Sequence, residues 1–422
     1  MGIPVDSNRS TPARVAYVSS RYPPMRSSGT YRVEAMLRHL PEHGFDLIPV
    51  TLPDEWIRQQ SGDRSLGLDD QRVHQPSGWL DGAVRGISRV PLARRVLREA
   101  IVPDVLGIWA RTASAELDSN VEIDLVYSTG PPFSALVLAD RIARRHGVPL
   151  VHEVRDPPSF NRRLATRSRW WKGRMRAFER RFLGLADAVI TVTSGTRRRL
   201  LEIHPDFEPE RIFVVTNGHP DIVPDISRAG RDPEKFTISY VGSFQGGSRA
   251  RRASAFNPAI LLPALRRLDS HDVALRVVGP VTEEQRRHIA REPGGDLVQF
   301  TGLVSREDAI AEMAAADVSL VLAEDEDWWI GRKVFESMAF SRRTLALVPE
   351  SGDTAALLRR NSKASVVEPW DGPGIARAVH RLHDEWVKGE IRASEVDHAV
   401  QSDRSCVTEV AAILRSVMAG IS

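Results

Sequence analysis

Arg14-Val-Ala-Tyr-Val-Ser-Ser20, then Tyr22-Pro23-Pro24 and Ser27-Ser28-Gly29, then Val33, Met36, Leu37 and Leu40, then Gly44 and the run Phe45 to Leu52: this opening decides the fold. The first run is short, apolar and β-rich. The four apolar residues after the glycine loop fall at three- and four-residue spacing, the stripe of an amphipathic helix, and Gly44 sits where a helix ends. Phe45 to Leu52 reads as a second strand. Strand, glycine-bearing loop, helix and strand together make one βαβ unit, which fixes a parallel pair and an α/β class.

Outward from there the alternation continues. Strands are expected at Ile123–Tyr127, Val148–Val154, Ala188–Thr193 and Ile212–Thr216, and helices at Pro132–His146, Trp171–Leu183 and a segment capped by Ser194 and running to Ile203. Residues 62–77 read as loop and 92–112 as helix with a break at Pro103. Between Gly218 and Lys235 the chain is rich in Pro, Asp and Gly without periodicity, a linker composition. A second alternating set follows. Its strands are expected at Phe236–Val241, Ala274–Val278, Leu297–Thr301, Val318–Leu322, Thr344–Val348 and Ala364–Val367. Its helices are expected at Pro258–Leu268, Glu283–Arg291, Arg306–Ala315, Gly331–Phe340, Thr354–Arg360, Ile375–Glu385 and Val407–Met418. Each half therefore reads as an open, doubly wound, Rossmann-like parallel sheet whose ligands sit beyond the carboxyl ends of the strands. The expected organisation is residues 1–222, residues 223–395, and a C-terminal helix in 396–422 that packs back on the first domain.

Composition agrees with this size class. A chain of 422 residues exceeds one ordinary core. The single cysteine, Cys406, rules out an internal disulfide and a cysteine-rich zinc site, and points to a reducing, cytoplasmic compartment. No run of about 18 apolar residues suggests a membrane span, and Met1 to Pro12 reads as a polar, disordered leader. Net charge is only +3, yet arginines dominate from Arg155 to Arg199, against Asp156, Glu179 and Asp187 alone. Such a face attracts phosphates; it is equally the solvated face of an arginine-rich helix.

The chemistry concentrates in Gly331-Arg332-Lys333-Val334-Phe335-Glu336-Ser337-Met338-Ala339-Phe340. A glycine opening a helix lets backbone N–H groups face a phosphate, and Lys333 in the first turn adds a full charge there. Glu336, one turn deeper on the same face, can accept both hydroxyls of a ribose. Lys and Glu at this spacing are also an ordinary surface pair. Gly242 and Ser243 end the first strand of the second half, where a glycine admits close backbone approach or simply makes a turn. Arg249, Arg251 and Arg252 follow in a loop of small residues. At the end of a strand in the first half stand His152, Glu153, Arg155 and Asp156. A lone histidine there is more often structural than a base.

The block from Gly331 resembles the nucleotide-sugar site of the large retaining glycosyltransferase family of GT-B fold, the bacterial group 1, family 4-like enzymes. Three further blocks resemble a bacterial subgroup in the same order. They are Pro103-Asp104 with Trp109, followed by Tyr127-Ser128-Thr129-Gly130-Pro131-Pro132-Phe133-Ser134; Val148 to Pro157 with its Arg155-Asp156-Pro157 turn; and Ala186 to Thr193 with Thr216-Asn217-Gly218. The resemblance implies an α/β, GT-B architecture of two Rossmann-like domains with an interdomain cleft. Acceptor would bind the first domain and donor the second. Lys333 would contact the donor diphosphate and Glu336 the ribose, with Gly331 opening the helix. Arg249 or Arg252 would lie against the phosphates, and Gly29 and Thr30 in the glycine loop would face the donor. Many members carry a second glutamate where Trp328 stands here; Asp325, Glu326 and Asp327 are the available stand-ins.

The reaction so implied is transfer of a sugar from a nucleotide-diphosphate-sugar to an acceptor, with retention. The set of catalytic candidates is Lys333, Arg249, Asp156 and His152. Cations and a helix N-terminus stabilise the departing diphosphate, without a metal or other cofactor. The acceptor stays open among glycan, lipid-linked molecule and natural product. Trp170 and Trp171 among Arg163, Arg167, Arg169, Lys172 and Arg174 suit peripheral contact with an anionic inner-membrane face, and no nucleic-acid module is recognisable. Two other readings remain: an epimerase or phosphorylase on the same fold, and a catalytically degenerate nucleotide-sugar-binding subunit.

Overall fold

The computed structural model describes residues 11–25, 27–52, 57, 102–104, 106–107, 110, 120–161, 168–243, 257–268, 272–323, 327–392, 396–397 and 399–420. The readings placed on residues 62–77 and 92–112, on Arg163 and Arg167, on Arg249, Arg251 and Arg252, and on Asp325 and Glu326 fall at least partly outside them. Two compact units divide the chain. The first comprises Met1–Thr216 and Arg404–Ser422, the second Asn217–Asp403.

In the first unit the strands are β1 (Ala13–Val18), β2 (Phe45–Val50), β3 (Leu125–Gly130), β4 (Leu150–Val154), β5 (Ala188–Thr191) and β6 (Ile212–Val214). They form one parallel sheet in the order β2-β1-β3-β4-β5-β6. Both faces of such a sheet are covered, so β3 and β4 are buried at every position instead of alternating. The helices of this unit are α1 (Ser28–His39), α2 (Ser134–His146), α3 (Arg169–Gly184) and α4 (Ser194–Ile203). The last of these is capped by Thr193, whose hydroxyl accepts from the Thr196 amide at 2.9 Å; the expected cap, Ser194, is instead the first helical residue. Both residues can cap, and the backbone conformation decides: Thr193 is extended, as an N-cap must be.

In the second unit β7 (Phe236–Val241), β8 (Val273–Val278), β9 (Val298–Gly302), β10 (Val318–Leu322), β11 (Thr344–Leu347) and β12 (Ala364–Val367) form a second parallel sheet, ordered β12-β11-β10-β7-β8-β9. Its helices are α5 (Glu283–Ile289), α6 (Arg306–Ala315), α7 (Arg332–Phe340), α8 (Asp353–Leu358) and α9 (Gly372–Val387). The helix expected over 258–268 is broken: a four-residue α-helical turn, Leu262–Leu265, lies between two 3-10 turns. Pro263 removes an amide donor and crowds the carbonyl one turn before it, which breaks a regular helix, whereas Pro258 at the first position costs no bond.

The chain leaves the first unit after Thr216 and returns to it at Arg404, so α10 (Asp403–Met418) belongs to the first unit all but its opening residue. Val407, Val410, Ala411 and Leu414 of α10 are fully buried in the same apolar cluster as β1, β3 and α2. In the second unit the two ends of that excursion pair with each other. His219 bridges Ser402, its amide donates to the Gln401 carbonyl at 3.0 Å, and its carbonyl accepts from the Asp403 amide at 2.8 Å. Gly218 lies flat against the Ser402 and Asp403 backbone, where any Cβ would collide.

Candidate functional site

In a doubly wound sheet the crevice opens where consecutive strands part to opposite sides. In the second unit that switch lies between β7 and β10. Beyond the carboxyl end of β7 come Gly242 and Ser243; beyond that of β10 comes the segment leading into α7. The edge next to Gly242 is built of backbone alone. The Gly242 amide donates to the Val278 carbonyl at 2.9 Å, and Gly279 donates to Gly302 at 3.0 Å. Gly279, at φ +142°, lies with its α-carbon against the Gly242 carbonyl and leaves no room for a side chain. Gly242 itself is fixed by Tyr240, whose hydroxyl would stand 2.8 Å from an added Cβ and donates to the Ser243 carbonyl at 3.2 Å. Ser243 is exposed.

Across the switch, Gly331 caps α7 in extended conformation, so its glycine identity does not come from a left-handed turn. The Trp329 indole occupies the place its Cβ would take. The preceding segment is tied to the start of α8: Thr354 Oγ1 donates to the Trp329 carbonyl at 2.5 Å, and the Asp353 amide to the Asp327 carbonyl at 2.7 Å. Asp327 is half-buried, and Trp328 is 3% exposed.

Lys333 and Glu336 divide the first turns of α7 between water and interior. Lys333 is exposed, Glu336 buried. Though its side chain reaches water, the Lys333 ammonium is hemmed by protein. That desolvation lowers its pKa below the ordinary lysine value, Arg306 pushing the same way and Glu336 opposing. For Glu336 burial pushes upward, but Arg332, Lys333 and Arg306 outweigh it and hold the carboxyl below its usual range. Its Oε1 accepts from Arg332 Nε at 3.3 Å and from Arg306 Nη2 at 3.4 Å. Arg332, itself buried, also donates to Asp403 Oδ2 at the start of α10. The result is a pre-ionised carboxylate held by two guanidinium groups below a lysine whose side chain reaches water at a helix N-terminus. A group so arranged can bind hydroxyls and a phosphate without first moving a proton.

The first unit gathers its expected residues differently. Gly29 and Thr30 open α1, but Thr30 is fully buried. Its hydroxyl lies 2.9 Å from Ser27 Oγ, and its amide donates to the same atom at 3.2 Å. That makes Thr30 part of the helix cap; among the described residues here the exposed side chain is that of Ser28, the first residue of α1. Gly29 is packed by the Arg155 guanidinium, whose two terminal nitrogens would lie 3.0 Å from an added Cβ. His152, a candidate base, is fully buried within β4. Its Nδ1 is 2.7 Å from Ser128 Oγ, and burial lowers its pKa to about 3. A side chain so enclosed stays neutral, which weighs against the base role expected of His152 and for a structural one. Asp156 is half-buried just past β4. Its neighbour Glu153 is the hub of a buried network: Arg32 at 3.0 Å, the Tyr127 hydroxyl at 2.7 Å and the Thr129 hydroxyl at 2.8 Å all donate to it. Asp104 Oδ2 accepts from the Ser134 amide at 3.0 Å, so Pro103-Asp104 caps the helix of the Pro-Pro-x-Ser loop.

Residues 29–218 match the glycosyl transferase 4-like domain, and residues 235–385 match the glycosyl transferases of group 1. The chain belongs to the group 1, family 4-like glycosyltransferases. Its donor is accordingly a nucleotide-diphosphate-sugar. Solved structures share the GT-B fold of this glycosyltransferase along nearly its whole length. Sucrose-phosphate synthase from Thermosynechococcus elongatus is 16% identical, with 97% of this chain and 100% of that one covered at a TM-score of 0.66. The α,α-trehalose 6-phosphate synthase of Burkholderia multivorans is 16% identical, covering 98% and 100% at 0.59. Anabaena HepE, solved with UDP and glucose, is 14% identical, covering 97% and 98% at 0.56. No curated protein matches the sequence.

Arg332, Arg306 and Gly279 were not among the residues singled out from sequence. Arg332 stands inside the quoted block, but its partner Asp403 is 71 residues away. Arg306 meets Glu336 across 30 residues. Neither separation leaves a local pattern. Gly279, following the end of β8 as Gly242 follows β7, is the one that the strand pattern could have revealed. Among the described residues no group of three or more His, Cys, Asp or Glu is placed to hold a metal, and no helix is long and apolar enough to cross a membrane.

Proposed function

We propose that the glycosyltransferase moves a sugar from its nucleotide donor to an acceptor hydroxyl with retention of configuration and without a metal. Lys333 would hold the diphosphate with the α7 N-terminus, and Glu336 the ribose. The backbone at Gly242 and Ser243 would line the donor, and Asp327 the sugar. Arg249 or Arg252, outside the described residues, would supply a second cation. The bond between the anomeric carbon and the β-phosphate oxygen breaks, and its electron pair leaves with the diphosphate. The acceptor oxygen forms the new bond, and its proton passes to the departing phosphate or to Asp156. The supporting observation is the exposed Lys333 above an ionised, doubly clamped Glu336 at the switch point of the second sheet. Two preorganised cationic elements facing the leaving group are worth several kcal/mol, as removing one comparable donor costs about 3–4 kcal/mol. The acceptor class stays a glycan, a lipid-linked molecule or a natural product, and the single cysteine, which leaves no internal disulfide to form, fits the cytoplasm.

Titration calorimetry against UDP, GDP and dTDP, followed by product analysis with the matching nucleotide sugars, tests the proposal. One nucleotide should bind and Lys333→Ala should weaken it; a chain that binds none of the three and none of their sugars loses this function. Trp328, buried where many family members carry a second glutamate, favours one alternative, a donor-binding subunit without turnover. It would bind nucleotide yet neither transfer nor hydrolyse the sugar.

A further inference from the structure

α3 carries six cations on its exposed side, Arg169, Lys172, Arg174, Arg176, Arg180 and Arg181, and its one carboxylate does not offset them. Glu179 is buried, 2.5 Å from the Ser159 hydroxyl and 2.7 Å from His204 Nε2. Over 16 residues such a helix is about 24 Å long. Two large apolar side chains stand in water at its ends, Trp170 at 59% and Leu185 at 42% exposure, and the Arg174 guanidinium lies 4.6 Å over the Trp170 ring. Alongside opens a cavity of about 1120 Å³ at the amino ends of β5 and β6, lined among others by Arg144, Arg176, Arg180, Arg181, Arg211 and Phe207. Its two carboxylates are already matched: Asp206 by Arg180 at 3.0 Å and Glu208 by Arg211 at 3.7 Å. Arg176 and Arg181 have no carboxylate partner among the described residues.

We propose that α3 and this cavity form a docking surface for an anionic phospholipid bilayer, with headgroup phosphates entering the cavity beside Arg176 and Arg181. The charge is unbalanced locally although the chain as a whole carries only +3, and apolar side chains flank it, the pairing an interfacial helix uses to enter the headgroup layer. A polynucleotide would use the same cations but gains nothing from an exposed leucine. The cavity lies at the amino ends of β5 and β6, and α3 runs from it back along the sheet toward the carboxyl end of β4. The inference does not rest on the donor site: a chain without transferase activity would dock equally.

Co-sedimentation of the full chain with vesicles of phosphatidylcholine alone, or mixed with phosphatidylglycerol, tests it. Binding should require phosphatidylglycerol and weaken from about 50 mM to about 0.5 M NaCl. Each cation near such a surface contributes about fivefold in partitioning, so Arg176→Glu with Arg181→Glu should lower it at least tenfold. Trp170→Ala should weaken binding by a smaller factor and leave its salt dependence. Should the reversed pair not fold, as judged by its thermal midpoint, Arg176→Gln with Arg181→Gln takes its place with the same direction. Absence of binding at low salt, equal binding to phosphatidylcholine, indifference to the substitutions, or tighter binding to a single-stranded oligonucleotide or to glycerol 3-phosphate than to vesicles would each overturn the proposal.

Discussion

Lys333 and Glu336 stand one turn apart on one helix, yet their environments assign them different tasks. The Lys333 side chain reaches water while its ammonium, partly desolvated, interacts more strongly with an anion than a lysine surrounded by bulk water. The carboxylate is buried and already ionised, so it adds nothing to the developing charge but fixes the pentose. The two roles separate kinetically. Lys333→Ala should lower kcat by about 100- to 1000-fold, the loss seen when one donor to a developing oxyanion is removed. Glu336→Gln should chiefly raise KM for the donor, by about 10- to 100-fold, as a charge-assisted hydrogen bond of about 1.5–3 kcal/mol is lost. Steady-state kinetics with saturating acceptor reads both numbers; an unchanged kcat for Lys333→Ala would remove the lysine from the mechanism. The sequence shows both residues because their meaning is local, a charge in the first turn and another a turn on. It does not show Arg306 as the second clamp, nor Asp403 as the partner that holds Arg332, because both are brought near only by tertiary folding.

At the scale of elements, β4 is a strand whose five residues are all buried, and two of them, His152 and Glu153, are ionisable. Glu153 survives burial by pairing with Arg32, and His152 by staying neutral. These solutions respond differently to acid. An unfolded histidine takes a proton below its ordinary pKa of 6.5, whereas folded His152 takes none until about pH 3. The unfolded state therefore binds more protons throughout that window, and stability is lost as pH falls through it. Between pH 6.5 and 5 this amounts to about 1.5 kcal/mol. Glu153 and Glu336, both held below the ordinary value of 4.5, add their losses only further into acid. Urea unfolding from pH 5 to 6.5 should accordingly show a loss of stability that His152→Gln reduces by that amount; identical losses in the two proteins would mean that His152 is not buried neutral. Strand identity was plain in the sequence from the alternation of apolar runs and helices. The roles of the ionisable residues at strand ends were not, since exposure and burial there depend on which loop covers them.

At the scale of the molecule, the chain builds its first unit from two separated pieces, and the return segment is the structural commitment. Cys406, Val407, Val410, Ala411, Leu414 and Val417 of α10 join the core of β1, β3 and α2, while the apolar clusters of the second unit contain only residues of 217–403. Truncating a fully buried leucine costs about 2–5 kcal/mol through lost transfer energy and the cavity left behind. Leu414→Ala should therefore destabilise the first unit although the residue lies at the far end of the sequence from β1. Hydrogen exchange separates this from a general loss of stability. Amides of β1, β3 and β4 should exchange faster in the variant, by a factor of at least about 30 for 2 kcal/mol, while those of β7 and β10 keep their rates. A bound nucleoside diphosphate should do the complementary thing, slowing exchange in β7 and α7 by mass action on the unit that binds it. If Leu414→Ala instead accelerated both sheets equally, the cores would not be energetically separate, and the nucleotide's protection would extend to β1 and β3 as well.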